Sequence, residues 1–335
     1  MKLTQTIAAV TVTAAAFSTA VSAATLDEVK SRGSLACGVD GGLPGFAAPD
    51  DSGRMRGMDA DVCRAVASAI GVRSVKYVPL TAKERFTALS SGEVDVLSRN
   101  TTHTSTRDAS LGIDFTYYNF IDGQGFLVNK DLGVSSALEL DGARVCIQQG
   151  TTTELNLADY FRSNGMKFIP VGYETSVQTR EGFEKNACDA LTSDKSQLAA
   201  IRSELSNPAG AVFLPETISK EPLGPVVRQG DSQWRDIVLW TLYALINAEE
   251  LGVSSSNIDR MRKSDNPSIK RLLSQEGETC QQLGLDSGCF YQAIKNVGNY
   301  GEMYEANVTP LEIPRDGSVN DLWTRGGLLY APPVR

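Results

Sequence analysis

Strand-like and helix-like stretches alternate along this chain twice over, and that double alternation narrows the fold more than any other feature. In the first run, Ser34–Val39 reads as a strand. Residues 58–70 carry apolar side chains at helical spacing (Met58, Val62, Val66, Ala69, Ile70), with Gly71 to stop the helix. Residues 75–80 are β-rich, a helix starts at Thr81-x-x-Glu84 and ends at Gly92, and 94–97 is a strand. The pattern restarts after Val128. It gives strands at 144–149, 167–171 and 190–193, and helices from Thr151-x-x-Glu154 toward Phe161, at 176–186 and at 196–205. Short strands are expected at 212–214 and 224–227. Such alternation builds parallel sheets flanked by helices, and 335 residues suffice for about two domains. Outside the two runs, Thr25-Leu26-Asp27-Glu28 reads as a capping box opening a short helix. Ser232–Glu250 reads as a long apolar helix, followed by mixed helical segments and an extended strap from Gly326 through Pro332 and Pro333.

Two polar loops lie at the carboxyl ends of strands, where open α/β sheets bind ligands. Arg99-Asn100-Thr101-Thr102-His103-Thr104-Ser105-Thr106-Arg107 sets six hydroxyl or amide side chains between two arginines. Gly150-Thr151-Thr152-Thr153-Glu154 is its counterpart in the second run. A guanidinium fork can bind both oxygens of a carboxylate. One such loop on each unit suggests a small zwitterion held between two lobes.

The first residues read as an export signal. Lys2 opens a short basic region, 7–21 is apolar and Ala-rich, and Val21-Ser22-Ala23 supplies the small residues that signal peptidase needs, placing the cut after Ala23. That stretch is too short to span a membrane well, and no later run of roughly 20 apolar residues exists. No Cys follows the cut, so no lipid anchor is expected. The net charge of -8 and the lack of a basic run argue against nucleic acid. Six cysteines suit an oxidising compartment. Their even number permits full pairing, with 15 possible connectivities. There is no Cys-x-x-Cys, and His103 is the sole histidine, so disulfides are expected and a metal site is not.

Longer motifs carry a family resemblance. Gly38-Val39-Asp40, Gly57-Met58-Asp59-Ala60-Asp61-Val62, Leu89-x-x-Gly92-x-x-Asp95 and Asp114-Phe115-Thr116 resemble periplasmic amino-acid-binding proteins, the external receptors of ABC importers. Arg99-Asn100-Thr101-Thr102, Asp122-Gly123-Gln124-Gly125-Phe126, the run from Gly150 to Phe161, and Ile218-Ser219-Lys220-Glu221-Pro222-Leu223-Gly224-Pro225 resemble the general L-amino-acid-binding subgroup. The resemblance implies an α/β protein of two Rossmann-like lobes joined by a two-strand hinge, the type II periplasmic binding protein fold. It divides the chain into a signal peptide at 1–23, the first part of lobe one at 24–121, lobe two with hinge strands at 122–225, and a return to lobe one with a C-terminal extension at 226–335. The crossings should fall near 122–126 and 221–226. A periplasmic monomer is implied, without cofactor, that closes on an L-amino acid and delivers it to an inner-membrane ABC permease.

Residue by residue, the resemblance makes Arg107 the grip on the ligand α-carboxylate, a charged contact worth roughly 1.5–3 kcal/mol. Thr102 would add backbone and hydroxyl contacts, and Asn100 would offer its carbonyl to the α-ammonium. Thr151 and Thr152 open the second-lobe helix, where free N–H groups attract a carboxylate. Thr152 matches the ligand position more closely, because Thr151 also serves as the helix cap. Asp194 is the expected partner of the α-ammonium, since a buried ammonium needs a counter-charge; it is also placed to cap the next helix. Asp189 is expected to be structural. Asp40 would reach the ligand side chain. Arg99 would meet an acidic or amide side chain, or pair with Asp40 or Glu93. Phe46 would form an apolar wall, or belong to the core. Gly41, Gly42, Leu43 and Ala82 stand where relatives carry aromatics, which leaves room and favours broad acceptance of polar amino acids.

The disulfides should be local to each lobe: Cys37 with Cys63, Cys146 with Cys188, and Cys280 with Cys289. His103 is expected to be structural, no catalytic triad can be assembled, and Trp234, Trp240 and Trp323 are expected in the core. Two other functions share the fold: a cyclohexadienyl dehydratase-like enzyme, which needs an acid or base facing the ligand, and a sensory ligand-binding protein, usually fused to membrane modules.

Overall fold

The computed structural model describes residues 24–335, so the expected signal peptide lies outside the described residues. The strands are β1 (Ser34–Val39), β2 (Ala48–Pro49), β3 (Met55–Arg56), β4 (Ser74–Pro79), β5 (Val96–Leu97), β6 (Ile113–Phe115), β7 (Phe120–Asp122), β8 (Gln124–Asn129), β9 (Arg144–Gln148), β10 (Ile169–Tyr173), β11 (Ala190–Asp194), β12 (Ala211–Phe213), β13 (Glu221–Leu223) and β14 (Val226–Arg228). Two five-stranded sheets result, ordered β4-β1-β5-β14-β6 and β10-β9-β11-β8-β12. Each forms one lobe. The strands β7 and β13 pair antiparallel between the lobes, Glu221 opposite Asp122 and Leu223 opposite Phe120.

The sheets are mixed, not wholly parallel as the alternation suggested. β14 runs antiparallel to β5 and β6, and β8 runs antiparallel to β11 and β12. Both follow directly from a hinge strand. A chain that crosses between lobes arrives against the local strand direction, and in each sheet it takes the fourth place.

Helices flank the sheets: α1 (Thr25–Arg32), α2 (Met58–Ala69), α3 (Arg85–Ser90), α4 (Ser105–Ser110), α5 (Thr152–Ser163), α6 (Ser176–Glu184), α7 (Lys195–Ser203) and α8 (Ser232–Glu250). The C-terminal extension adds α9 (Ile258–Met261), α10 (Pro267–Leu272), α11 (Thr279–Gln282), α12 (Cys289–Val297) and α13 (Tyr300–Asn307). Thr25 is not the capping residue expected of it. α1 begins at Thr25, and the Thr25 N–H donates to Asp231 Oδ2 at 2.8 Å. Asp231 also accepts from the Trp234 N–H at 2.9 Å, so one carboxylate caps both α1 and α8.

Lobe one has a large core in which Trp234, Phe290, Tyr300 and Tyr304 are fully buried, and a smaller one around Leu89, Leu97 and Phe115. Lobe two divides its core between the two faces of its sheet. Successive strand residues point to opposite faces, and Phe126 packs with Phe161 on one side while Leu127 packs with Phe183 on the other. The three disulfides are Cys37–Cys63, Cys146–Cys188 and Cys280–Cys289, each within one lobe. Trp234 is buried, and its indole N–H donates to the Asp95 carbonyl. Trp240 packs half-buried against the core. Trp323 departs from expectation: it is 48% exposed, beside Tyr330 on the C-terminal strap. The strap's end is held where Asn247 Nδ2 donates to the Pro332 carbonyl and Arg271 Nε to the Val334 carbonyl.

Candidate functional site

The loop from Arg99 to Arg107 runs along the hinge. The His103 N–H donates to the Pro222 carbonyl at 2.9 Å, the Gly224 N–H donates to the Thr101 carbonyl at 3.1 Å, and Thr102 bridges to Leu223. Its backbone is therefore fixed by the hinge. Asp59, at the start of α2, holds the other side. It accepts from the Asn100 N–H at 3.0 Å, Ser98 Oγ at 3.0 Å and Asn119 Nδ2 at 2.8 Å. Burial pushes its carboxyl upward.

Arg107 lies in α4, where Thr104 caps the helix by accepting from the Arg107 N–H. The residue is 8% exposed, and its guanidinium donates to the Thr102 carbonyl at 2.9 Å. Burial lowers its pKa to about 10, with Glu221 and Asp194 opposing. Arg85 was missed in the sequence. It is 2% exposed, and its Nη1 donates to the Arg99 carbonyl and Thr101 Oγ1. Its Nε has no partner. Both guanidiniums rest on the Phe86 ring, at 4.9 and 5.2 Å. The signal available was an arginine directly preceding an aromatic at the start of an amphipathic helix, which a surface position explains equally well.

From lobe two, Asp194 ends β11 at the cleft. It is the N-cap residue of α7 by position, yet its side chain makes no capping bond. Asp122, on the hinge, does that instead: its Oδ2 accepts from the Ser196 N–H at 3.0 Å. Asp194 is left with an unpartnered, buried Oδ1. Burial drives its carboxyl well above the usual range, and the neighbouring Asp122 and Glu221 add to this. Asn100 is in the left-handed region, at φ 39°, and neither atom of its side-chain amide has a partner.

The two threonines of α5 separate cleanly. Thr151 is the helix cap: its Oγ1 accepts from the Glu154 N–H and donates to the Gln148 carbonyl at 2.7 Å. Thr152 faces the cleft, with Oγ1 3.2 Å from Thr102 Oγ1 of lobe one and 3.0 Å from Glu221 Oε2. Asp40 and Arg99 take each other. Arg99 Nη2 donates to Asp40 Oδ2 at 2.7 Å, both side chains are buried, and Asp40 Oδ1 accepts from Ser176 Oγ of lobe two at 2.7 Å. Lys83 Nζ donates to Gln149 Oε1 at 2.7 Å, another contact between lobes. The lobes are thus closed on each other.

Phe46 lies outside the site. It is 1% exposed in the lobe-one core, edge-on to Phe120 at 5.4 Å, so its ring fills the core beneath the hinge strand rather than forming a pocket wall. His103 stacks on Phe115 at 4.2 Å and pairs with Asp108. Asp189 holds Arg144 through two oxygens, at the far end of the second sheet. Among the described residues, no group of His, Cys, Asp and Glu could hold a metal ion.

Comparison with known proteins fits this geometry. The model of the bacterial extracellular solute-binding proteins, family 3, matches residues 35–255. The chain belongs to that family. It is 54% identical over 323 residues, 94% of each chain, to the general L-amino acid-binding periplasmic protein AapJ of Rhizobium johnstonii. It is 53% identical to the glutamate/glutamine/aspartate/asparagine-binding protein BztA of Rhodobacter capsulatus, over 94% of this chain and 95% of that one. Among solved structures, an ABC transporter/periplasmic binding protein from Brucella ovis with glutathione bound superposes at a TM-score of 0.90, with 53% identity, covering 94% of this chain and 100% of that one. For this family member, residues 256–335 follow the segment that the family model matches. They include α9 to α13 and the third disulfide.

Proposed function

We propose that this protein is a periplasmic receptor that captures an L-α-amino acid between its lobes and presents it to an ABC permease. The observation that carries the reading is the pair of under-partnered buried charges on opposite walls. Arg107 stands on lobe one with a single side-chain hydrogen bond, and Asp194 on lobe two with a free oxygen. An α-carboxylate and an α-ammonium, joined through one carbon, would satisfy both at once. Asn100 would add its carbonyl to the ammonium, and the first N–H groups of α5 at Thr152 would face the carboxylate.

Broad acceptance of polar amino acids follows from the side-chain end of the site. Asp40 and Arg99 neutralise each other there, so no single charge is demanded of the ligand. The names of the relatives, general L-amino acid binding and binding of four acidic and amide amino acids, support this. We take the lobes to divide near residues 121 and 225, with β7 and β13 as the hinge, and the protein to act as a monomer without catalysis. One solved relative, 28% identical with a TM-score of 0.59, is described as an ancestral amino acid-binding protein and a precursor of cyclohexadienyl dehydratase. Burial raises the Asp194 carboxyl, the direction a general acid needs, and a turnover assay on prephenate-like substrates tests that second reading.

A thermal-shift screen of the twenty amino acids tests the reading. A ligand at 100 times its Kd that binds only the native state adds about 2.7 kcal/mol. No shift with any amino acid would overturn the proposal. Small-angle scattering should also show a smaller radius of gyration with ligand, because ligand favours the closed state.

A further inference from the structure

Glu221 borders the site without being one of the groups assigned to the ligand, and it stands where the three moving parts meet. It lies on hinge strand β13, opposite Asp122. The residues that follow it are tied by backbone hydrogen bonds to the ligand loop of lobe one, at Thr101 and His103. Its side chain points the other way, onto α5 of lobe two. Oε2 accepts from Thr152 Oγ1 at 3.0 Å, and Oε1 accepts from Asn156 Nδ2 at 2.7 Å and from Ser219 Oγ at 2.6 Å. The residue is 1% exposed. Three donors, none of them charged, surround a buried carboxylate. Among the described residues no cation forms an ion pair with it, although Arg107 is near enough for Glu221 to stabilise its charge.

This arrangement fixes the direction of a hydrogen-bond chain. A threonine hydroxyl has one proton to give. Thr152 gives it to Glu221, the charged and therefore stronger acceptor. Thr152 Oγ1 is then an acceptor toward Thr102 Oγ1, which lies 3.2 Å away across the cleft. The Thr102 hydroxyl donates in turn. The order is Thr102 to Thr152 to Glu221, from lobe one through lobe two to the hinge, and it is complete only when the lobes meet.

We propose that Glu221 is a positioning residue that couples the hinge to ligand capture by drawing the Thr152 proton to itself, so that Thr152 Oγ1 accepts from Thr102 across the closed cleft. This rests on the reading that an amino acid is held between the lobes. Glu221 itself touches no ligand. Its contribution belongs to the closed state, so it should govern how long a ligand stays rather than how fast it arrives.

The test is a double-mutant cycle on the full mature chain, with L-glutamate and L-glutamine as probes in calorimetry and stopped flow. Glu221→Gln should weaken both probes by about 10-fold, the effect of losing a hydrogen bond to a charged group. The loss should appear in the dissociation rate. In a Thr152→Val background the same substitution should change affinity by no more than about 2-fold, the scatter of independent sites. Equal losses in both backgrounds would overturn the proposal, as would an unchanged affinity with only a lower melting temperature. If Glu221→Gln does not fold, Thr152→Ser against Thr152→Val decides. Serine should bind like the wild type and valine about 10-fold more weakly, and equal binding by the two would overturn the proposal. Failure of the wild type to bind either probe would count against the amino-acid reading itself, separately from the role of Glu221.

Discussion

Lobe one brings three buried arginines to the cleft, Arg85, Arg99 and Arg107, whereas lobe two brings Asp194. The two lobes share a strand order and even the place of their one antiparallel strand. Topology therefore does not distinguish them; the loops at the ends of the strands do. Each wall alone carries buried charge that it cannot neutralise. Burial lowers the affinity of Arg107 for its proton and raises that of Asp194. A zwitterion reverses both penalties together, which only the closed pair can exploit.

The lobes also differ in how they are held. Lobe one has a large core, covered by the helices of the C-terminal extension, beside a small one around Leu89, Leu97 and Phe115. Lobe two has two smaller cores, one on each face of its sheet, and the Cys146–Cys188 disulfide leads into the second of them. Small cores depend more on covalent staples. Replacing Cys146 and Cys188 together by Ser should cost about 4 kcal/mol, given their separation of 42 residues. The same change at Cys280 and Cys289, which are 9 apart, should cost about 3 kcal/mol. Urea denaturation of the two variants measures both. A larger loss from the extension's disulfide would reverse this ranking of the lobes.

The opposed charges give the next effects in size. Arg107→Ala should weaken every amino-acid ligand by about 3 kcal/mol, because a buried charge loses its partner. Calorimetry across acidic, amide and apolar amino acids should give similar losses, since the group touches only the shared end of the ligand. Loss confined to one class of side chain would remove Arg107 from the carboxylate role.

Asp194→Asn should cost amino acids about 2 kcal/mol and their deaminated analogues much less. The pH dependence has a definite sign. The folded carboxyl binds its proton more tightly than in the unfolded chain. It therefore contributes stability at low pH, which is lost as pH rises through its folded value. A bound ammonium favours the ionised form, so capture releases a proton and affinity falls on acidification through the same range. Calorimetry in buffers of different ionisation enthalpy should show proton release in the wild type and less of it in Asp194→Asn. Equal release would assign the linkage to another carboxylate.

Much of this was legible in the sequence because it depended on local pattern. The strand Ser34–Val39 and the helix Ser232–Glu250 form within the bounds that apolar periodicity sets. The two polar loops announced themselves by composition. What was hidden depended on partners distant in the chain. Thr25 looked like a cap until Asp231, 206 residues away, supplied the oxygen. Asp194 looked equally like a cap or a ligand group, and only Asp122, 74 residues earlier on the hinge, frees it from capping. Nothing local to Arg85 or Glu221 reveals their buried contacts, since a charged residue is a surface residue by default. Phe46 was ambiguous between wall and core, and packing against Phe120 decided for the core.

The smallest effect probes how tightly the two walls must meet. Gly42, in lobe one beside Asp40, faces α6 of lobe two. A Cβ built there would lie 2.7 Å from Val177 Cγ2 and 3.8 Å from Ser176 Oγ. The residue is free of the left-handed backbone requirement that constrains its neighbour Gly41, at φ 83°. Gly42→Ala therefore tests contact rather than conformation. The added methyl should hold the lobes slightly apart and strain the bond from Ser176 Oγ to Asp40 Oδ1. An overpacked contact costs about 1 kcal/mol at its mild end, so affinity should fall several-fold. The stability of the ligand-free protein should hardly change, because an open cleft accommodates the methyl. Val177→Ala in the same chain should restore binding, since it removes the atom that the methyl meets. Rescue would show that the walls touch at this point when ligand is bound. Weak binding that persists after Val177→Ala would place the fault within lobe one, in the turn that aims Asp40, and the two walls would then be less closely fitted there than the closed structure implies.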